Sequence, residues 1–336
     1  MSEGTPGKAL SRANFVPGNI AERAALPVIW ALTVLVFSIL KPDTFPTKSN
    51  FLINILGTQA VQVVLGLALI LPLVTGDYDI SVAANLTLSA MIIAILNVDH
   101  GWNVALAILV ALAAGAFIGF VNGGLVVLLG IDSFIVTLGT STFIAGVVLW
   151  ISGSRTIGGI SGGLVDNVII RHFIGIPLGF WYALILAGII WYVLEYTPLG
   201  RRLLFCGRGR SVARLSGLRV ARLRWGAMVA SGVFAAGAGV IYAGTTGSAD
   251  PTSGLSFLLP AFSAAFLGAT TIQPGRFNPL GTVVAVYFLA TGITGLQQLG
   301  VDTFIQQLFY GGALVLAVAA SQLIRRRQAI EFAPTE

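Results

Sequence analysis

The chain has 336 residues, of which 56% are hydrophobic and only 10% are charged, and its mean hydropathy is +0.91. Soluble domains carry about 25% charged residues, so this composition excludes a water-soluble fold. At about 20 apolar residues per spanning helix, the length allows about ten membrane spans and no separate soluble domain. The net charge of +6 does not indicate nucleic-acid binding, because the basic residues cluster between apolar segments, as in the cytoplasmic loops of membrane proteins.

The first apolar run, residues 26–40, superficially resembles a signal peptide because Lys8, Arg12 and Arg23 precede it. However, the charged and proline residues at 41–43 follow it directly, where a cleaved signal peptide has small residues. We therefore predict that this run is an uncleaved first span.

Apolar runs bounded by charged and turn residues predict ten spans in all. Their ranges are 27–40, 51–75, 82–96, 102–129, 134–151, 177–196, 225–244, 257–270, 279–299 and 304–324. The predicted fold class is therefore an all-α polytopic integral membrane protein, formed as a single domain over residues 1–336.

The positions of lysine and arginine predict the orientation of these spans. If the N-terminus is inside, the inner segments hold 15 basic residues and the outer segments hold four. The inner residues are Lys8, Arg12, Arg23, the eight arginines of the loop 197–224, Arg276 and Arg325 to Arg327, and the outer residues are Lys41, Lys48, Arg155 and Arg171. This asymmetry predicts that both termini and the loop 197–224 face the cytoplasm.

The sequence also contains an internal repeat. The segment 130–138, GIDSFIVTL, recurs at 300–308 as GVDTFIQQL, and Gly76-x-x-Asp79-x-Ser81 recurs as Gly247-x-x-Asp250-x-Thr252. Two units of five spans, about 24–152 and 177–325, would have opposite orientations, as in transporters that alternate access around a central site. The alternative is that two loop-to-helix junctions resemble each other because both need a turn residue and a cap.

Polar residues within spans are candidates for a substrate path, since an unsatisfied polar group in lipid is costly. We select Asp79, Asn85, Asn122, Thr137, Thr140 and Gln306. The predicted spans have no central Glu or Lys, which argues against a proton relay and favours a neutral, hydroxyl-rich substrate. The alternative for each residue is a bond between helices, especially for Asn122, which lies close to Gly119 and Gly123. For Asp77 and Asp79 at the head of the third span, the predicted role is helix capping, and the alternative is a cation or substrate ligand.

No pattern for catalysis or for a resident cofactor is present. His100 and His172 lie in separate loops without metal-ligand spacing, and the sequence contains no G-x-x-x-x-G-K-[ST] phosphate-binding loop. We therefore predict a chain that is not an enzyme. If transport is driven by ATP, then ATP and Mg²⁺ bind to a separate ATPase subunit.

The long basic connection 197–224 is the predicted contact with such a subunit. Residues 211–218 can form a short helix that ends at Gly217, and a cytoplasmic motor needs a rigid element of this kind. The coupling candidates are Gly200, Arg201, Ala213, Arg214, Ser216 and Gly217.

Several motifs resemble the ribose-type family of bacterial ABC sugar permeases. They are Thr197-x-x-Gly200-Arg201-Arg202, Ala213 to Leu218, Asp79-Ile80-Ser81, Asn122-Gly123, Phe134 to Thr140, Gly247 to Pro251 and Gly300-Val301. The chain departs from the family pattern at Gly76-Asp77-Tyr78, Asp132, Cys206 to Arg210 and Gln273 to Phe277.

This resemblance implies an inner-membrane permease that imports a monosaccharide by alternating access. It also implies a cytoplasmic ATPase, an extracytoplasmic sugar-binding protein and a second permease copy or a paralogue as partners. Two alternatives stay open. One is an ABC permease for another solute, such as an autoinducer, a nucleoside or a branched-chain amino acid, and the other is an ion-coupled secondary transporter.

Overall fold

The structure is a computed structural model and describes residues 20–47 and 49–331. Lys8, Arg12 and Lys48 lie outside the described residues, and so do the side chains of Arg325 to Arg327. The described part of the chain is mainly α-helical, with two short two-stranded sheets. The predicted all-α polytopic membrane class is confirmed.

Ten of the helices coincide with the ten predicted apolar segments. They are α1 (Ile20–Leu40), α2 (Ala60–Val74), α3 (Val82–Ala94), α4 (Val104–Leu128), α5 (Ser133–Ser152), α7 (Leu178–Tyr196), α10 (Val220–Thr246), α11 (Leu255–Gly268), α12 (Pro279–Gln298) and α13 (Phe304–Glu331). Within the described residues, eight helical segments are long and apolar enough to cross a membrane, and the apolar parts of α11 and α13 are shorter.

The remaining elements are short. They comprise α6 (Gly162–Val165), α8 (Pro198–Arg208), α9 (Arg210–Leu215) and the strands β1 (Ile157–Gly158), β2 (His172–Phe173), β3 (Ile176–Pro177) and β4 (Ser248–Ala249). β1 pairs with β4, and β2 pairs with β3, both in antiparallel register. There are also three π-helical segments in the described residues: Ser49–Gly57 precedes α2, Ile95–Asp99 extends α3, and Asp166–Ile170 follows α6.

The centre of the molecule consists of α2 and α10. Every residue of α2 is buried, and α10 packs against α2, α3 and α4. The backbones of α4 and α10 approach closely at Gly115 and Gly232, where a Cβ added to Gly232 would lie 2.2 Å from the Gly115 carbonyl oxygen. Small residues allow this close approach of membrane helices. By contrast, α1, α4 and α5 expose large apolar side chains such as Leu32, Phe117 and Phe143, as expected for lipid contact.

Contacts between connections define two opposite ends of the bundle. At the first end, Thr271 bonds to the Arg23 carbonyl, and Arg276 pairs with Glu195 at 3.0 Å. At the second end, Arg155 pairs with Asp99 at 3.0 Å, and β1 pairs with β4. The loop between α7 and α10 lies at the first end. Among the described residues, the basic residues predicted to lie inside are thus at the first end, and those predicted to lie outside are at the second end. This separation agrees with the charge asymmetry from which the orientation is predicted.

Candidate functional site

The connection between α2 and α3 contains a buried carboxylate that holds several helices together. Gly76, with a φ of +79°, turns the chain after α2, and Asp79 follows at 1% exposure. Asp79 Oδ1 accepts bonds from the backbone N–H and the hydroxyl of Ser81 at 3.0 and 2.6 Å. Its Oδ2 accepts the hydroxyl of Ser231 in α10 at 2.8 Å. Burial raises the pKa of the Asp79 carboxyl, and the bonds from Ser81 and Ser231 act in the opposite direction.

The network continues into α4 and α5. Asn122 Nδ2 donates to the Ser81 hydroxyl at 2.9 Å, and Asn122 Oδ1 accepts the Thr140 hydroxyl at 2.7 Å. Three of the predicted path residues, Asp79, Asn122 and Thr140, therefore lie in one continuous hydrogen-bond network. Asn122 is fully buried and bonds to residues of two other elements, as its helix-bridging interpretation predicts. Ser81 stands in the repeated Gly76-x-x-Asp79-x-Ser81 pattern, whereas no pattern in the sequence pointed to Ser231.

Side chains of α5 hold the backbone of the same connection. The Ser133 hydroxyl accepts the Tyr78 N–H at 3.0 Å, and Thr137 Oγ1 accepts the Ile80 N–H at 3.0 Å. Thr137 also donates to the Ser133 carbonyl at 2.7 Å. Thr137 is thus adjacent to the Asp79 network, and its bonds tie α5 to the start of α3.

The other two predicted path residues lie apart from this network. Asn85 Nδ2 donates to the Gly232 carbonyl at 3.0 Å, and its Oδ1 is buried without a partner among the described residues. Gln306 is exposed near the start of α13. The structure therefore does not bring all six residues into one site.

Asp77 has a different role from the predicted helix cap. Its side chain is 2% exposed and pairs with Arg210 and Arg224 at 2.8 and 2.7 Å. The Thr75 hydroxyl contacts the same carboxylate at 3.3 Å. The capping prediction is wrong for Asp77, because two guanidinium groups and this hydroxyl occupy the carboxylate. The many arginines of the loop 197–224 were the available signal, but their spacing could not show which of them pair with Asp77.

The loop 197–224 is largely helical. Thr197 caps α8 by accepting the Gly200 N–H at 3.2 Å. After α9, Gly217 has a φ of +80°, and the Leu218 and Gly217 N–H groups donate to the carbonyls of Ala213 and Arg214. This pair of bonds is the Schellman termination of a helix. The predicted short helix is present, but it begins at Arg210 and ends at Leu215.

The six coupling candidates divide into two groups. Arg201, Arg214, Ser216 and Gly217 are exposed. Gly200 and Ala213 are buried within the chain, and Ala213 packs with Cys206 and Val220. The side chain of Ala213 is therefore not available at the surface of α9, whereas the residues of the first group are accessible on α8 and around α9. Burial also raises the pKa of the Cys206 thiol.

Two adjoining clefts lie beside these helices. One, of about 350 Å³, is lined by Arg202, Gly217, Leu218, Arg219, Arg222 and Leu223. The other, of about 400 Å³, is lined by Pro198, Arg201, Arg202, Phe205 and Leu218. Four arginines line the two clefts, so this surface is strongly basic.

The second half of the chain repeats the local geometry of Asp79. Asp250 Oδ1 accepts the N–H and the hydroxyl of Thr252 at 2.8 and 2.7 Å, as Asp79 does from Ser81. The Thr156 hydroxyl donates to the other carboxylate oxygen at 2.7 Å. These bonds from Thr252 and Thr156 hold the pKa of Asp250 below its ordinary value. Gly247, in the position of Gly76, also has a positive φ, of +63°.

Comparison with known proteins identifies the class of this molecule. Residues 51–318 match the family described as branched-chain amino acid transport system / permease component. The chain belongs to this permease family. It is thus a multi-pass membrane permease component and not an enzyme.

Individual relatives cover nearly the whole chain. It is 32% identical to the D-allose transport system permease protein of Escherichia coli K12 over 89% of this chain and 91% of the relative. It is 31% identical to the ribose import permease protein of the same strain over 91% and 95%. It is 28% identical to the autoinducer 2 import system permease protein of Salmonella paratyphi A over 92% and 94%. No solved structure matches the chain.

Proposed function

We propose that this chain is the membrane-spanning subunit of an ATP-driven importer that moves a monosaccharide into the cytoplasm. The observation that carries the proposal is the likeness to the allose and ribose permeases, which extends over about nine-tenths of this chain and of each relative. The likeness therefore includes both halves of the chain and the loop 197–224. The uncharged character of most of the candidate path residues suits a neutral sugar, which binds through hydroxyl and amide groups.

An ATPase subunit would dock on α8 and α9. The Schellman termination makes α9 a defined element that can transmit force, and the exposed Arg201, Arg214 and Ser216 lie on the surface of this loop. ATP and Mg²⁺ would bind to that subunit. The same docking requires that the loop and both termini face the cytoplasm, which the separation of basic residues between the two ends supports. An extracytoplasmic binding protein would deliver the sugar at the opposite end.

Two inverted repeats of five spans would provide alternating access. The matching bonds of Asp79 and Asp250 and the positive φ angles of Gly130 and Gly300, +71° and +90°, support this arrangement. The packing of the helices supports it too, since α3 contacts α4 and α5, and α11 contacts α12 and α13.

A second permease copy or a paralogue would complete the path. On α5, Gly139, Thr142 and Gly146 are exposed on one face, and α13 exposes Gln306 and Gln307. A glutamine amide facing lipid is unfavourable. These two helices, which correspond in the two repeats, therefore suit a face between protomers better than a lipid contact.

Copurification and transport together test the proposal. The tagged chain is isolated from its native membranes, its attached subunits are identified, and the complex is placed in liposomes with its binding protein. We expect an ATPase to copurify and labelled D-ribose or D-allose to enter the liposomes only with ATP. ATP-dependent uptake of labelled leucine or autoinducer 2 in place of a sugar would contradict the substrate class. Uptake by the chain alone under an ion gradient would contradict the ATP-driven mechanism.

A further inference from the structure

The buried carboxylate of Asp77 joins both ends of the α9 region to the start of α3. Arg224, near the start of α10, donates from Nε to Oδ2 at 2.8 Å and from Nη2 to Oδ1 at 2.7 Å. Arg210, the first residue of α9, donates to Oδ1 at 2.8 Å and to the Gly76 carbonyl at 2.7 Å. Bonds between charged groups are roughly twice as strong as neutral ones, and the paired bonds of Arg224 also fix its direction.

The residues after Asp77 are held equally firmly by the membrane helices. The Tyr78 and Ile80 N–H groups bond to Ser133 and Thr137 of α5. Asp79 bonds to Ser231 of α10 and, through Ser81, to Asn122 of α4. The connection 76–81 therefore contacts the cytoplasmic-loop helix α9 on one side and α4, α5 and α10 on the other.

We infer that Asp77 is a positioning residue that transmits the movement of α9 to α5 and α3 during transport. The inference rests on the proposed function, in which an ATPase moves α9. The bond of Arg210 to Asp77 is the direct connection from α9, because Arg210 lies on that helix. The next residues along the chain, Tyr78 to Ile80, are then displaced together with Asp77, and their bonds carry the displacement to Ser133 and Thr137.

A purely structural role is the alternative, since removing one partner of a buried ion pair destabilises a protein. The two roles differ in the ratio of sugar imported to ATP hydrolysed. A structural defect lowers the amount of folded complex, and uptake and hydrolysis then fall in proportion. A transmission defect leaves ATP hydrolysis and assembly in place and lowers the uptake for each ATP.

The test compares Asp77→Asn with Asp99→Asn in the reconstituted complex of chain, ATPase and binding protein. Asparagine keeps the size of the side chain and removes its charge. Asp99 pairs with Arg155 at the opposite end of the bundle and is the matched control. With labelled D-ribose and D-allose as probes, we expect Asp77→Asn to lower the ratio of uptake to hydrolysis by about tenfold, the loss expected for a hydrogen bond between charged groups. Asp99→Asn leaves the ratio unchanged.

Arg210→Gln is the second variant, and it keeps the inference testable if Asp77→Asn does not accumulate as folded protein. It retains the paired bonds of Arg224 to Asp77 and should therefore keep the fold. It should lower the same ratio, and the double variant should be no worse than Asp77→Asn alone. An unchanged ratio in Arg210→Gln, or in a folded Asp77→Asn complex, overturns the inference. Failure of the unmodified complex to import either sugar with ATP would instead count against the proposed function.

Discussion

The close crossing of α4 and α10 predicts a strong effect of one added methyl group. In Gly232→Ala, the new Cβ would lie 2.2 Å from the Gly115 carbonyl oxygen and 3.1 Å from the Gly119 nitrogen. Both contacts are with backbone, which cannot rotate away as a side chain can. The helices must separate by at least about 1.3 Å to reach ordinary contact.

The magnitude follows from three contributions. Overpacking of a well-packed interior costs about 1–3 kcal/mol. Displacement of α10 also weakens the bond from Asn85 of α3 to the Gly232 carbonyl, worth about 0.5–1.5 kcal/mol. Replacing glycine by alanine within a helix returns about 0.5–1 kcal/mol. The expected net loss of stability is therefore about 0.5–4 kcal/mol.

The matched control is Gly237→Ala in the same helix, because no atom lies within 4 Å of its added Cβ. We expect thermal unfolding in detergent, followed by tryptophan fluorescence, to show a lower Tm for Gly232→Ala. The Tm of Gly237→Ala should be unchanged or slightly raised by the helix propensity of alanine. Equal melting temperatures for the two variants would refute the close packing of α4 against α10.

Three further predictions concern the loop and the polar network. Cys206 is fully buried, so a membrane-impermeant thiol reagent should not label it in intact cells, in open membranes or in the folded protein in detergent. Ser216→Cys should be labelled in open membranes but not in intact cells. Labelling of Ser216→Cys in intact cells would reverse the proposed orientation. Ala213→Glu places a charge among Cys206 and Val220 and should lower the yield of folded protein. A full yield of Ala213→Glu would contradict the buried position of Ala213. Ser216→Glu should keep the yield of folded protein and reduce copurification of the ATPase by about tenfold. Thr140→Val removes the bond to Asn122 and should cost about 0.5–1.5 kcal/mol of stability, measured by the same melting assay. The control is Thr142→Val, because the Thr142 hydroxyl bonds only within α5.

Hydropathy was sufficient to predict the ten apolar helices, since lipid requires long runs without charge. α4 was predicted at 102–129 and is observed at Val104–Leu128. The start of α10 was predicted five residues late, at 225 instead of Val220. Arg222 and Arg224 suggested a loop, but Asp77 pairs with Arg224. A charge that finds a partner inside the fold does not end a helix, and single-residue hydropathy contains no information about partners.

The helical character of α8 was missed for another reason. Its sequence contains three arginines within eleven residues, which satisfied the criteria for a basic loop. The start signal was present, because Thr197 is a capping residue and Pro198 occupies the first helical position. The interactions of Asp77 were not predictable, as Arg210 and Arg224 lie 133 and 147 residues away along the chain, and eight arginines of the loop were equivalent candidates.

The polar network also changes which residue is the best candidate for sugar contact. Asp79, Ser81, Asn122 and Thr140 bond to one another, so their groups are already engaged in this conformation. A sugar hydroxyl needs a free donor or acceptor, and Gln306 is exposed and has no hydrogen-bond partner among the described side chains. We therefore expect Gln306→Ala to raise the sugar concentration for half-maximal uptake by about tenfold, as for the loss of one hydrogen bond to substrate, without lowering the Tm. Thr140→Val should have the opposite effect, with a lower Tm and an unchanged sugar concentration for half-maximal uptake. If Gln306→Ala transports normally and Thr140→Val alters half-saturation without a change of Tm, the sugar contacts the Asp79 network and not α13.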